Sequence, residues 1–90
     1  MTQQPDLGAE ADRRILERIS DMVAAERDLR ALLADGRIDA DTERQRLRDI
    51  EQQLDQSWDL LRQRRARKEA GEDPNLASVR SVEEVEQYES

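Results

Sequence analysis

The residues best suited to chemistry are five cations that closely follow the only tryptophan of the chain. After Trp58 the sequence carries Arg62, Arg64, Arg65, Arg67 and Lys68. Guanidinium groups donate forked hydrogen bonds that fit phosphates and carboxylates, so such a cluster could bind nucleic acid or an acidic protein surface. A third interpretation is a solvated helix end, where cations interact favourably with the helix dipole.

The composition of the whole chain favours a protein over a nucleic acid as the target of these cations. The formal net charge is -7 and aromatic residues make up 2%, so the chain repels phosphates and offers few side chains that stack on bases. We predict a partner-binding segment in which apolar anchors are bordered by cations. Its members are Leu54, Trp58, Leu61, Arg62, Arg64, Arg65, Arg67 and Lys68. Association with nucleic acid through residues 62–68 is the alternative prediction.

Catalysis and metal binding have little support in the sequence. The chain contains no His and no Cys, so the commonest general base, nucleophile and transition-metal ligands are missing. The segment between Asp35 and Glu43 resembles part of a calcium-binding loop. With Gly36 at the invariant glycine position, however, Ala31 and Leu33 occupy the first and third ligand positions. We predict no enzyme activity, no cofactor and no dedicated metal site.

Two long amphipathic helices are predicted to position the basic segment, because apolar residues recur at spacings of three and four. The first helix is predicted over residues 11–34, after a flexible lead-in over 1–10 that contains Pro5 and Gly8. The second is predicted over 40–70. The two apolar seams consist of Ile15, Ile19, Met22, Leu29 and Leu33, and of Leu47, Ile50, Leu54, Trp58 and Leu61. Charged residues such as Asp55 and Asp59 are assigned to the solvated faces.

A short turn between these helices predicts an antiparallel hairpin. Gly36 provides the helix stop and Asp39 the N-cap of the second helix. Folding the chain about this turn places Trp58 over the seam of the first helix. It also places three cations near three acids, in the order Arg62, Arg64 and Lys68 beside Asp12, Glu10 and Asp6. The predicted fold class is therefore all-α, a coiled-coil-like two-helix hairpin.

The remaining residues, 72–90, are predicted to form a turn and a C-terminal tail. Asp73 and Pro74 suit the start of a helical turn, and Ser81 with Glu84 matches a capping box before a short helix over 82–88. A disordered tail is the alternative interpretation.

The length and composition of the chain indicate a small protein of one domain. Apolar residues account for 36% and charged residues for 41% of 90 residues, which is little for a broad core. No apolar run approaches the roughly 20 residues of a membrane span, and no signal peptide is recognised at the start. We predict a cytoplasmic protein without membrane contact.

A two-helix hairpin has one strip of contact and leaves flanking apolar residues in water. The exposed candidates are Leu16, Val23, Leu32, Trp58 and Leu60. Because small domains with little core often oligomerise, we predict a homodimer in which two hairpins form a four-helix bundle. A tail that folds back over the hairpin is the competing prediction.

Three motifs give the chain a family resemblance. They are 53-QLDQ-x-WDLLRQRRA-66, 70-AG-x-DP-74 and 79-VR-x-V-x-EVE-x-Y-88. In these motifs the chain resembles a small bacterial family, domain of unknown function 2630, from about Ile15 onward. The resemblance implies no activity or partner, but it implies that the segment from Val79 to Tyr88 is an ordered part of the domain.

Overall fold

The computed structural model describes residues 7–89 and shows a chain of helices. In order, these are α1 (Leu7–Ala34), α2 (Ala40–Glu69), a 3-10 helix (Pro74–Leu76) and α3 (Val82–Glu89). No strand occurs within residues 7–89. The all-α prediction is confirmed, and the helices over 40–70 and 82–88 agree with the observed bounds to one residue.

Helix α1 begins earlier than the sequence indicated. The predicted lead-in over residues 1–10 is wrong from Leu7 onward, because Leu7 to Glu10 are helical. Gly8 is predicted to act as a helix breaker, but it is buried inside the first turn of α1, where its carbonyl oxygen accepts a hydrogen bond from Arg64 at 3.0 Å. Tertiary contact therefore overrides the weak helix propensity of this glycine. Residues 1–6, including Pro5, lie outside the described part of the chain.

Both long helices end in the same glycine-dependent motif. Gly36 and Gly71 have φ of 70° and 75°, a left-handed conformation that glycine adopts readily. After α1, the amide of Arg37 donates to the carbonyl oxygen of Leu32 at 2.9 Å, the long-range bond of a Schellman motif. After α2, the corresponding bond runs from Glu72 N–H to the Arg67 carbonyl oxygen at 2.7 Å. Residues 35–39 therefore form the predicted tight turn between antiparallel helices.

Capping residues define where the following helices begin. The Asp39 carboxylate accepts a hydrogen bond from the Thr42 amide at 2.6 Å, as predicted for an N-cap of α2. Asp73 accepts from the Asn75 amide at 2.9 Å, with Pro74 starting the 3-10 helix. Ser81 accepts from the Glu84 amide at 3.3 Å and begins α3. The predicted starts of all three elements are thus explained by local side-chain hydrogen bonds.

The helices lie side by side in one layer, with α2 in the middle. Helix α2 packs against α1, the 3-10 helix and α3. The Cα atoms extend over 58 × 33 × 13 Å, and the radius of gyration is 16.7 Å, compared with about 12 Å for a compact chain of this length. Within the described residues, neither long helix is apolar enough to cross a bilayer.

The apolar core is small and leaves several large side chains exposed. Among the residues whose burial the structure describes, 8–86, four apolar residues are buried, Ile19, Met22, Leu29 and Val85. The predicted exposure of Leu16, Val23 and Trp58 is confirmed, with 48%, 46% and 44% of each residue exposed. Leu32 and Leu60, also predicted to be exposed, are half-buried instead.

Candidate protein-binding site

Part of the predicted segment lines a shallow cavity at the open end of the hairpin. The cavity has a volume of about 250 Å³ and lies between α1 and α2. We call the surface around it the Trp58 face; it consists of Asp12, Leu16, Trp58, Leu61, Arg62, Arg65 and Lys68. Three predicted members, Leu54, Arg64 and Arg67, do not line this cavity. Leu54 is half-buried farther along the seam of α2.

Arg64 lies in the interior and is not part of the surface that the sequence predicted. Only 5% of it is exposed. Its Nε donates to the Asp12 carboxylate, and its Nη2 donates to the Gly8 carbonyl oxygen at 3.0 Å. Its Nη1 donates to the Pro74 carbonyl oxygen at 3.2 Å and to Asn75 Oδ1 at 3.0 Å. The 3-10 helix packs over the Arg64 guanidinium group. Arg64 therefore connects α1, α2 and the tail and is not available to bind a partner.

Asp12 of α1 pairs with two cations of α2, Arg64 and Lys68. Lys68 Nζ lies 3.0 Å from Asp12 Oδ2, while Arg64 contacts the other carboxylate oxygen. The predicted pairing of Arg64 with Glu10 is wrong, because Glu10 pairs with Arg14 at 3.2 Å within α1. Burial raises the pKa of Asp12, but the hydrogen bonds from Arg64 and Lys68 outweigh it, so the pKa lies below its ordinary value.

The three remaining arginines of the predicted segment differ in their contacts. Arg67 Nη1 lies 3.1 Å from Glu72 Oε2, which joins the end of α2 to the tail. Arg65 is exposed, and within residues 7–89 it makes no hydrogen bond or ion pair. Arg62 is exposed at the rim of the cavity. Much of the basic segment is therefore neutralised by acids of the same chain.

A buried ion pair beside the tail is not predicted by the sequence. The spacing assigns Asp59 to a solvated face of α2, but this residue is 2% exposed. Arg80 donates to it through Nη2 to Oδ1 at 2.9 Å and Nε to Oδ2 at 3.0 Å, and Gln63 donates at 3.0 Å. Gln63 and Gln56 also donate to the carbonyl oxygens of Ser78 and Arg80, at 2.8 and 3.2 Å. This network fastens the tail to α2.

The sequence contained one signal for this network. Gln56, Asp59 and Gln63 recur at spacings of three and four, so they lie on one side of α2. The side-chain amides of such a polar stripe can donate hydrogen bonds to the backbone carbonyl oxygens of an extended segment that packs against it. The partner segment at 78–80 has no regular pattern, and for that reason the pairing could not be assigned from the sequence.

The segment between Asp35 and Glu43, which resembles part of a calcium-binding loop, uses its carboxylates for structural contacts. Within residues 7–89, no three or more metal-binding side chains lie together. Asp39 caps α2, and the hydrogen bond from the Thr42 amide lowers its pKa. Asp41 pairs with Arg44 on the surface of the same helix. The interpretation of this segment as a helix stop followed by a cap therefore accounts for these carboxylates.

One protein family matches most of the sequence, including the Trp-centred segment and the tail. The profile of the protein of unknown function DUF2630 matches residues 11–90, and the chain belongs to this family. The resemblance noted in the sequence is thereby confirmed.

Relatives in this family occur in mycobacteria. Uncharacterised proteins of Mycobacterium tuberculosis and Mycobacterium bovis are each 52% identical to the chain over 77 residues. The matched region covers 86% of this chain and 88% of either relative. No solved structure matches the chain significantly.

Proposed function

We propose that the chain is a self-associating helical protein-interaction module without enzyme activity, located in the cytoplasm. The observation that carries the proposal is the single layer of helices, which is 13 Å thick between Cα atoms. Stable domains usually bury the apolar sides of their elements between two layers. A second copy stacked on the Trp58 face provides the second layer, and the four long helices then form a bundle.

The exposed apolar area supports an interface around Trp58. With 44% of Trp58 exposed, roughly 100 Å² of this side chain remains accessible. Burying this area in two copies contributes about 5 kcal/mol at 25 cal/mol per Å². Because association itself costs at least about 4 kcal/mol, Trp58 alone gives a weak dimer. Leu16 and Val23, which are seven residues apart on α1, extend the apolar area on the same side of that helix.

Nucleic-acid association has less support than protein association. Within the described chain, Arg64, Arg67 and Lys68 are engaged by carboxylates of the same protein. These contacts remove positive charge that would otherwise be available to phosphates. An acidic or apolar protein surface needs fewer cations, so it fits the Trp58 face better.

Sedimentation equilibrium over a range of protein concentrations tests the proposal. We expect a reversible monomer–dimer equilibrium in the wild type, and a shift towards monomer in Trp58→Ala. Leu76→Ala is the matched control, since Leu76 is 65% exposed but lies on the tail. A wild type that stays monomeric at its highest soluble concentration would contradict the proposal. Equal weakening by both substitutions would show that the Trp58 face is not the contact.

A further inference from the structure

We infer that the second copy docks with its α2 antiparallel to the first α2, so that a twofold axis passes beside Trp58. This inference rests on the proposed self-association and specifies its surface and register. The relevant feature is an exposed stripe along α2, here called the α2 stripe. Its members are Glu51, Asp55, Trp58, Arg62 and Arg65.

The α2 stripe has acids on one side of Trp58 and arginines on the other. Successive members are four, three, four and three residues apart, which keeps them on one side of a helix. Glu51, Trp58, Arg62 and Arg65 are exposed, and Asp55 is half-buried. Glu51 precedes Trp58 by seven residues, and Arg65 follows it by seven. The stripe is therefore complementary to itself in the reverse direction.

An antiparallel pairing makes use of this arrangement. When Trp58 meets the same residue of a second copy, Glu51 lies opposite Arg65 of that copy, and the symmetry repeats the pair. Asp55 and Arg62 come together in the same way. A parallel pairing would instead place Arg65 against Arg65 and Glu51 against Glu51, which is repulsive.

Contacts within the chain leave the key pair available and close the other side of α2. Glu51 and Arg65 make no hydrogen bond or ion pair among the described residues. On the opposite side, the tail is held by Arg80 and Asp59 at 2.9 Å. The Trp58 face also includes Leu16 of α1, which adds apolar contact beside the α2 stripe. A second copy therefore approaches α2 from the side of Trp58.

Disulfide trapping tests the register cleanly, because the chain has no Cys of its own. A mixture of Glu51→Cys and Arg65→Cys proteins should form the mixed disulfide under mild oxidation. Each variant alone should cross-link poorly, because two copies of residue 51 lie about 14 residues, or roughly 20 Å, apart along the helices. A disulfide requires Cα atoms within about 7 Å.

A second cysteine pair supplies the matched control. Asp49 and Arg67 have the same sum of residue numbers as Glu51 and Arg65, so they test the same antiparallel register on the opposite side of α2. A mixture of Asp49→Cys and Arg67→Cys should not cross-link. Preferential cross-linking of this control pair in a dimer would overturn the inferred surface while leaving self-association intact.

Charge exchange gives an independent measurement of the same register. Arg65→Glu should weaken the dimer on the order of tenfold, since two attractive pairs become repulsive. Adding Glu51→Arg to it should restore the wild-type dissociation constant, measured by sedimentation equilibrium. A dimer that does not respond to either substitution overturns the register. A wild type that is monomeric throughout overturns the register and the proposed function together.

Discussion

Removing Arg80 should release the tail from α2 without unfolding the hairpin. In Arg80→Ala the buried Asp59 loses donors at 2.9 and 3.0 Å, and among the described residues Gln63 is the side chain that still donates to it. Breaking a buried ion pair from one side costs about 3 to 5 kcal/mol. Because the Arg80 side chain is 29% exposed, water partly compensates, and we expect the lower end of that range.

Amide hydrogen exchange in α3 measures this loss of stability, because α3 belongs to the tail that Arg80 holds. The Val85 amide donates to the Ser81 carbonyl oxygen at 3.1 Å in the first turn of α3. A loss of about 3 kcal/mol should accelerate its exchange roughly 100-fold. Amides in the middle of α1 should keep their wild-type rates, because the Arg80–Asp59 pair holds the tail to α2 and not to α1.

A second arginine provides the control for this prediction. Arg67 also joins α2 to the tail, through Glu72, but the Glu72 side chain is 55% exposed, whereas that of Asp59 is 3% exposed. Arg67→Ala should therefore cost less than about 1 kcal/mol and accelerate exchange by less than about fivefold. Equal acceleration in Arg80→Ala and Arg67→Ala would refute the reasoning, as would exchange of Val85 at the wild-type rate in Arg80→Ala.

Three further predictions concern stability. Arg64→Ala should lower the free energy of unfolding in urea by about 3 kcal/mol, because it removes a buried cation that donates to Asp12, to the 3-10 helix and to the buried carbonyl oxygen of Gly8. The exposed Arg65→Ala should change the free energy of unfolding by less than about 0.5 kcal/mol. Similar losses would contradict the assignment of Arg64 to the interior. Because the pKa of Asp12 is lowered from 3.8, its contribution is complete well above that pH and is lost as the pH falls below it. Acid unfolding of Asp12→Asn should show a shallower decline in stability, and identical pH profiles would contradict this. Gly36→Ala should cost about 1 kcal/mol by thermal unfolding, since φ is 70° and nothing lies within 4 Å of an added Cβ, so an unchanged melting temperature would argue against a left-handed turn.

The features that could be predicted from the sequence are those encoded in local spacing. The stops at Gly36 and Gly71, the caps at Asp39 and Asp73, and the helices between them follow from residues a few positions apart. Each of these signals acts through the backbone of its own turn and does not depend on distant contacts.

The buried polar contacts could not be predicted in the same way. Arg64 contacts residues 52 positions earlier and 10 positions later, and its burial depends on all of these segments meeting. In the sequence it is one cation among five, and nothing in its neighbours distinguishes it from the exposed Arg65. The same holds for Asp59, whose burial depends on a tail segment without regular spacing.

The contacts of Arg64 also couple the two ends of the chain during unfolding. One guanidinium group holds the first turn of α1 through Gly8 and the 3-10 helix through Pro74. Opening either segment removes hydrogen-bond acceptors from the buried Arg64 side chain. The contacts of Arg64 with the other segment are weakened as a result. Truncation after Gly71 should therefore increase fraying at the start of α1, although the two segments are far apart in sequence. The open end of the hairpin is expected to unfold as one cooperative unit with the 3-10 helix, whereas the turn at Gly36 is expected to open separately.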